Sequence, residues 1–462
     1  MRRLLFLASL LLLLRPALAA SERPNILLIL TDDQTLESMR VMDRTLGRLA
    51  AEGTTFSNSI VSYPLCCPSR ATGLTGQYAH NHKVMANKPP NGGYGRLDHS
   101  NTLPVWLREA GYETAHVGKY LNNYTGPEVP PGWTHWFGLS DPSTYRVYDY
   151  TVIEDGKPVH YGEDEDDYQT DVLARKSEAL LREMIRSGKP FFLSVAPVPP
   201  HEERSDEDAQ GTPPRPAPRH QGMFAAEPLP AKASYDEPDV ADKPPHIRKL
   251  PRFGPARKDL ILRTYRARLE SLQAVDEMVG RLVDVLEETG QLGRTVIIYT
   301  SDNGFFSGEH RLPGGKLLPY EESIRVPLII RGGGFPAGRT ANQPVANIDL
   351  APTIVELTGA RARRTMDGRS LLPLALDPSL GKDRALLVEG LSQNSARPSY
   401  EGIRTSRWLY VEYHTGAKEL YDLQADQLQL TSRHNAPGLR TIRADLARRL
   451  AKLRTCAGKS CR

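Results

Sequence analysis

Two stretches far apart in the chain share one design. PNILLILTDD (24–33) and TVIIYTSDNG (295–304) are runs of apolar, β-rich residues that end abruptly in side chains with oxygen donors. A run that is apolar at successive positions cannot be a half-exposed strand; it fits a strand buried on both faces. FFLSVAP (191–197) and VPLIIRG (326–332) repeat the pattern. Between them lie helical periodicities. Leu262, Tyr265, Leu269, Leu272, Val275, Val279, Leu282 and Leu286 mark a long helix over 257–289, ended by Gly290. DLAPTIVELTGA (349–360) gives a shorter one, with Pro352 near its start. Buried strands alternating with helices predict an α/β domain around a mostly parallel sheet flanked by helices.

The pattern breaks twice. Residues 202–256 are rich in Pro and charge without periodicity and read as a long irregular excursion. Near residue 380 the style changes. RWLYVEYHTGAKELYDL predicts two antiparallel strands around His414-Thr415-Gly416, and LRTIRADLARRLAKL (439–453) an amphipathic helix. The expected division is a main domain over 20–375 and a small C-terminal α+β subdomain over 376–462.

The first 19 residues read as a cleaved signal peptide: Arg2 and Arg3, the apolar run Leu4–Leu14, then Ala17-Leu18-Ala19. The run is too short to span a bilayer. A secreted or periplasmic protein without a stable membrane anchor is expected. Without Arg2, Arg3 and Arg15, 56 basic side chains face 55 acidic ones, and no basic block points to nucleic acid. Of four cysteines, Cys456 and Cys461 are spaced for a local disulfide that would pin the chain end. Cys66 and Cys67 are adjacent. They read either as two buried thiols acting as small hydrophobes or as a pair of which one is modified.

Ligands of open α/β sheets bind beyond the carboxyl ends of the strands. Asp32-Asp33 and Asp302-Asn303 lie at two such ends. Three carboxylates and an amide oxygen suit a hard cation, Ca²⁺ or Mg²⁺, rather than zinc. Taken singly, each pair could equally cap a following helix.

CCPSRATGLTG (66–76) joins these observations. It matches C-x-P-S-R followed by L-T-G, and the chain resembles the formylglycine-dependent sulfatases of the alkaline-phosphatase-like superfamily from about Pro24 onward. PNILLILTDDQ, TSDNG, VGKY, APVPPH, GEHRLPGGKLLPYEESIRVPLIIRG, DLAPTIVELTG and KELYDLQAD are similar to family segments in order. The resemblance implies that Cys66 becomes formylglycine (3-oxoalanine) during export, through a formylglycine-generating enzyme. It implies that Asp32, Asp33, Asp302, Asn303 and residue 66 bind the metal. Arg70 and Lys119 would hold the aldehyde hydrate, and Lys316 and His201 the sulfate.

The residue types suit that chemistry. A sulfate monoester is an anion, so a metal, Arg70, Lys119, Lys316 and a helix N-terminus started by Pro68 would neutralise it. One hydroxyl of an aldehyde hydrate can attack sulfur, and the other can expel sulfate by C–O cleavage. His201 is the candidate general acid. Many sulfatases read G-K-W-H-L-G, whereas GKYLNNY has Leu121 where the histidine stands. His80, His82 and Asn122 are the candidates to replace it. CCPSR with AHNH and GKYLN is most similar to the glucosamine-6-sulfatase and extracellular heparan 6-sulfatase branch. This implies a 6-O-sulfated amino sugar or an aryl sulfate as substrate. The sequon at Asn123 lies near the site and is expected to be unglycosylated. A phosphate mono- or diesterase of the same fold and an inactive glycan-binding homologue are the alternatives.

Overall fold

The structure is a computed structural model that describes residues 23–204, 212–392 and 397–462. The expected signal peptide lies outside the described residues. No helix among the described residues is long and apolar enough to cross a membrane.

A ten-stranded sheet forms the centre. In chain order its strands are β1 (Asn25–Thr31), β2 (Gly53–Phe56), β3 (Glu113–Gly118), β4 (His135–Leu139), β5 (Tyr150–Glu154), β6 (Lys157–Tyr161), β7 (Phe191–Ala196), β8 (Thr295–Ser301), β9 (Leu328–Arg331) and β10 (Arg339–Ala341). Across the sheet they run β10-β2-β9-β8-β1-β7-β3-β4-β5-β6. The middle five, from β8 to β4, are all parallel. The expected parallel order stops there: β9 runs antiparallel to both β8 and β2, and β5 and β6 form an antiparallel hairpin. The VPLIIRG segment is therefore a strand, but one that turns back beside β8.

The main helices are α1 (Cys66–Thr75), α2 (Leu103–Glu109), α3 (Gln169–Ser187), α4 (Pro255–Glu288), α5 (Leu350–Thr358) and α6 (Arg440–Leu453). They explain why β1 has no polar face. Leu27 and Ile29 pack with Val172, Leu173, Leu272 and Val275 of α3 and α4. Ile26 and Leu28 belong to the opposite core, with Ala71, Trp106 and Ile354 of α1, α2 and α5. Each such side chain contributes roughly 1.5–3 kcal/mol through burial.

The C-terminal hairpin forms as Trp408–Tyr413 and Lys418–Asp422, within a four-stranded antiparallel sheet that also contains Leu386–Gly390 and Tyr400–Arg404. Leu446, Leu450 and Leu453 of α6 cover one face. The sheet also braces the loop after β8. Tyr400 donates to the Leu317 carbonyl at 2.6 Å, and Tyr320 donates to Glu419 at 2.9 Å. Cys456 and Cys461 are bonded to each other. In the excursion, the described residues form short turns of helix, Pro218–His220 and Pro245–Arg248, and two isolated β-bridges, Glu203 with Thr212 and Tyr235 with Glu309, before α4 begins at Pro255.

Candidate active site

The site lies at the carboxyl ends of β1 and β8. Their register pairs Thr31 with Ser301, so the residues that follow each strand emerge side by side. The Asp33 N–H donates to Asp302 at 3.2 Å, and the Asn303 amide donates to Asp33 at 2.6 Å. Asp33 makes its turn at φ 65°, in the left-handed region. The two acidic pairs thus cap nothing; they face one another.

Helix α1 enters from the side. Cys66 is its first residue and Leu65 its N-cap. Pro68 stands third rather than first; its missing N–H is one of those a helix start leaves without intrahelical partners. The dipole end of α1 consequently lies at residue 66 itself. The Cys66 sulfur is 3.4 Å from Asp32 and 2.9 Å from the Lys316 ammonium. Cys67 is also a free thiol, but it belongs to the apolar core with Ala71 and Trp106, while its N–H donates to Asn87. The adjacent cysteines thus divide: one points to the charged floor, the other into packing.

The cations expected from sequence converge on this floor. Arg70 donates to Asp302 at 2.7 Å and to the Lys119 carbonyl at 2.7 Å. Lys119 pairs with Asp32, and Lys316 with Asp33. His201 Nε2 is 3.7 Å from Asp33, while its Nδ1 faces the Glu202 carbonyl at 2.7 Å. All these groups are buried. Burial alone would raise the Asp32 carboxyl, but Lys119 above all holds it well below the usual range. Burial and the neighbouring Asp32 push Asp302 up to about 6. Burial pushes the Cys66 thiol up to about 11 and His201 down to about 3. The sulfur is therefore a protonated, poor nucleophile as it stands.

Donor atoms of Asp32, Asp33, Cys66 and His201 lie within 4.8 Å of one another. Asn303 Oδ1 is buried without a hydrogen-bond partner. An orphaned amide oxygen beside carboxylates fits a hard cation, which would take up that lone pair.

Several residues at the site carried no sequence signal. Arg268 of α4 donates to the Asp33 and Pro200 carbonyls and stacks on Phe305 at 4.1 Å. Its only trace was a charge between Tyr265 and Leu272 on an apolar stripe. Tyr145 stacks on His201 at 4.3 Å and lies under Lys119 at 4.7 Å. Asn122 reaches the site through Tyr145, donating to its hydroxyl at 2.6 Å. The other two candidates for the missing histidine are engaged elsewhere. His80 bonds Glu389 and the Cys456 carbonyl, and His82 bonds Thr72 at 3.0 Å and the Val84 N–H. Leu121 itself is core. Above the floor opens a cleft of about 590 Å³, lined by Tyr145, His201, Glu202, Phe305, Lys316 and Arg397 among others.

The comparisons agree with this geometry. The sulfatase family model matches residues 24–360, and a model of the N-sulphoglucosamine sulphohydrolase C-terminal region matches 308–456. The chain is 35% identical to human N-acetylglucosamine-6-sulfatase over 96% of its own length and 87% of that protein. It is 38% identical to the Drosophila melanogaster extracellular sulfatase SULF-1 homolog over 78% of its length, but spans only 32% of that relative. The solved structure of BT4656, in complex with its substrate D-glucosamine-2-N,6-O-disulfate, superposes with a TM-score of 0.81. That match has 26% identity and covers 94% of this chain and 98% of the other. The fold is thus alkaline-phosphatase-like, and the chain belongs to the sulfatase family.

Proposed function

We propose that the protein hydrolyses sulfate monoesters through a formylglycine formed from Cys66, on 6-O-sulfated N-acetylglucosamine-type sugars. The observation that carries this reading is the position of residue 66. It opens a buried helix at the strand ends, within contact of Lys316 and Asp32. The hydrated aldehyde supplies a hydroxyl nucleophile and a way to release sulfate by C–O cleavage. A Ca²⁺ or Mg²⁺ ion supplies Lewis acidity at the sulfate oxygens, and Asp32, Asp33, Asp302, Asn303 and residue 66 would hold it.

The chain's own residues do the rest. Lys316, Lys119 and Arg70 are buried, ion-paired cations at the foot of the cleft, where they stabilise developing negative charge with little reorganisation. Arg70 and Lys119 hold the residue-66 side, Lys316 and His201 the sulfate. His201 is the group placed to protonate the departing alcohol. It is neutral in the resting site, so Nε2 must first take up a proton, which the negative charge of a bound sulfate ester favours. Its Nδ1 is turned to the Glu202 carbonyl, so Nε2 is the nitrogen that exchanges the proton. The names of the human relative and of the solved complex support an amino-sugar substrate. The extracellular relatives and the N-terminal sequence support secretion after conversion by a formylglycine-generating enzyme.

Mass spectrometry of the tryptic peptide Leu49–Arg70 tests the nucleophile. An aldehyde at residue 66 with Cys67 still a thiol is expected. Rates on aryl sulfate and aryl phosphate esters test the reaction; a large preference for phosphate would overturn the sulfatase assignment.

A further inference from the structure

Among the described residues the charged groups of the floor are ion-paired, but Glu202 and Arg397, half-buried on the cleft wall, are not. Glu202 follows His201 and is only partly exposed; Arg397 comes from the segment before the strand Tyr400–Arg404 and is likewise half-buried. Both line the cleft above the sulfate-binding floor. Neither head group has a hydrogen-bond or ion-pair partner among the described residues. They rest on two consecutive glycines that lead to Lys316. A Cβ at Gly314 would lie 3.9 Å from Glu202 Oε1, and one at Gly315 only 2.5 Å from Arg397 Nη2. Gly315 also has φ 86°, so this ramp is held open by backbone that a side chain would strain.

Burial acts first on both heads. After it, Glu202 is the charged group that acts on Arg397, while Glu202 itself senses Arg268, Asp33, Arg204 and Lys316. They are near enough to interact and too far apart to pair. A carboxylate that only accepts and a guanidinium that only donates, spaced across a gap, match a group that does both. Ring hydroxyls of a pyranose do so; an aromatic ring does not.

Resting on the sulfatase reading, we propose that Glu202 and Arg397 together read the hydroxyls of the sugar ring that bears the sulfate, and so select sugar sulfates over aryl sulfates. A site built to hydrogen-bond a substrate hydroxyl discriminates strongly against a ligand that lacks it, because its own polar groups are then left unpaired. Apolar contact with Tyr145 and Phe305 would serve either ligand.

The test compares kcat/KM for N-acetylglucosamine 6-sulfate and 4-nitrophenyl sulfate in the converted enzyme and in Glu202→Gln, Arg397→Lys and Arg397→Met. The expected loss is at least about 30-fold on the sugar ester and within about threefold on the aryl ester for Glu202→Gln and Arg397→Met. Arg397→Lys is expected to fall between wild type and Arg397→Met, since it keeps charge but loses the fork. Equal losses on both esters, or none on the sugar, would overturn the proposal. So would a wild type that turns over only the aryl ester, which leaves the sulfatase reading intact. Should Arg397→Met not fold, Glu202→Gln decides alone. Failure of the sulfatase reading looks different: both esters are inert although residue 66 carries the aldehyde.

Discussion

The floor and the wall of the cleft solve opposite problems. On the floor, Asp32, Asp33, Asp302, Arg70, Lys119 and Lys316 are buried and satisfy one another at short range. On the wall, Glu202 and Arg397 have no hydrogen-bond or ion-pair partner for their head groups among the described residues, and Arg204 and Arg257 are exposed. Buried charges must be paired, whatever the substrate, because the desolvation cost is otherwise several kcal/mol per ion. Half-exposed charges can wait for a ligand, with water in its place. The floor is therefore suited to one invariable group, the sulfate, and the wall to whatever alcohol carries it.

The largest break in this comparison should come from Cys66→Ala. Turnover is expected to fall by at least ~10³-fold, since no other group on the floor can form the covalent intermediate. The melting temperature should barely move, which calorimetry would check. Arg70→Met comes next and should damage both properties. It leaves Asp302 and Asp32 facing each other without their guanidinium, at a cost of roughly 3–5 kcal/mol. Denaturant unfolding measures it; an unchanged midpoint would mean the pair is not structural.

Acid should act on buried histidines rather than on the wall. His82, His116 and His310 are buried, and burial holds each down at about 3. In the unfolded chain they take up protons below about pH 6.5, while in the folded chain they stay neutral until about pH 3. These histidines thus remove stability as pH falls through that window. Asp302, Glu237 and Glu322, whose carboxyls burial raises to about 6, 7 and 8, work in the opposite direction, because there the folded state holds the extra proton. The ceiling is roughly 1.4 kcal/mol per pH unit for each histidine. Melting curves of the wild type and His82→Gln between pH 7 and 4 isolate one histidine: the variant should gain stability relative to the wild type as pH falls.

The smallest effect is expected from the wall's rim. Arg257→Ala should leave stability within about 0.5 kcal/mol. Any loss in kcat/KM should be at most about threefold and vanish at high salt, because an exposed charge is screened. A salt-insensitive loss would move Arg257 from the rim to a direct contact.

The same contrast explains what the sequence could disclose. Strand ends are legible because an apolar run and the acids that close it are contiguous. Asp32-Asp33 and Asp302-Asn303 could therefore be read before their register was known. Cys66 and Arg70 stand in one compact motif. The C-terminal sheet was half legible: the Gly416 hairpin announced itself, while Leu386–Gly390 and Tyr400–Arg404 lack alternation because both faces are largely covered. Arg268, Tyr145, Glu202 and Arg397 come from four different segments. Nothing local distinguishes them from solvated residues; only the packing of α4, the excursion and the C-terminal strands brings them to one cleft. His80 and His82 failed in the reverse way. They are near the motif in sequence, but the turn after α1 carries His80 to the C-terminal unit and turns His82 back onto Thr72 of α1.

Cys66 is only 1% exposed and Cys67 not at all, beneath a floor locked by ion pairs. That burial sets an order of events. On the proposed reading, a modifying enzyme that must grip the chain around Cys66 can reach its sulfur only while α1 is undocked, so the conversion belongs to the nascent or translocating chain, whereas a small ester reaches the folded site through the cleft. The same reading makes the outcome at residue 66 permanent once the chain has folded, so that each molecule is fixed as competent or inert at that moment.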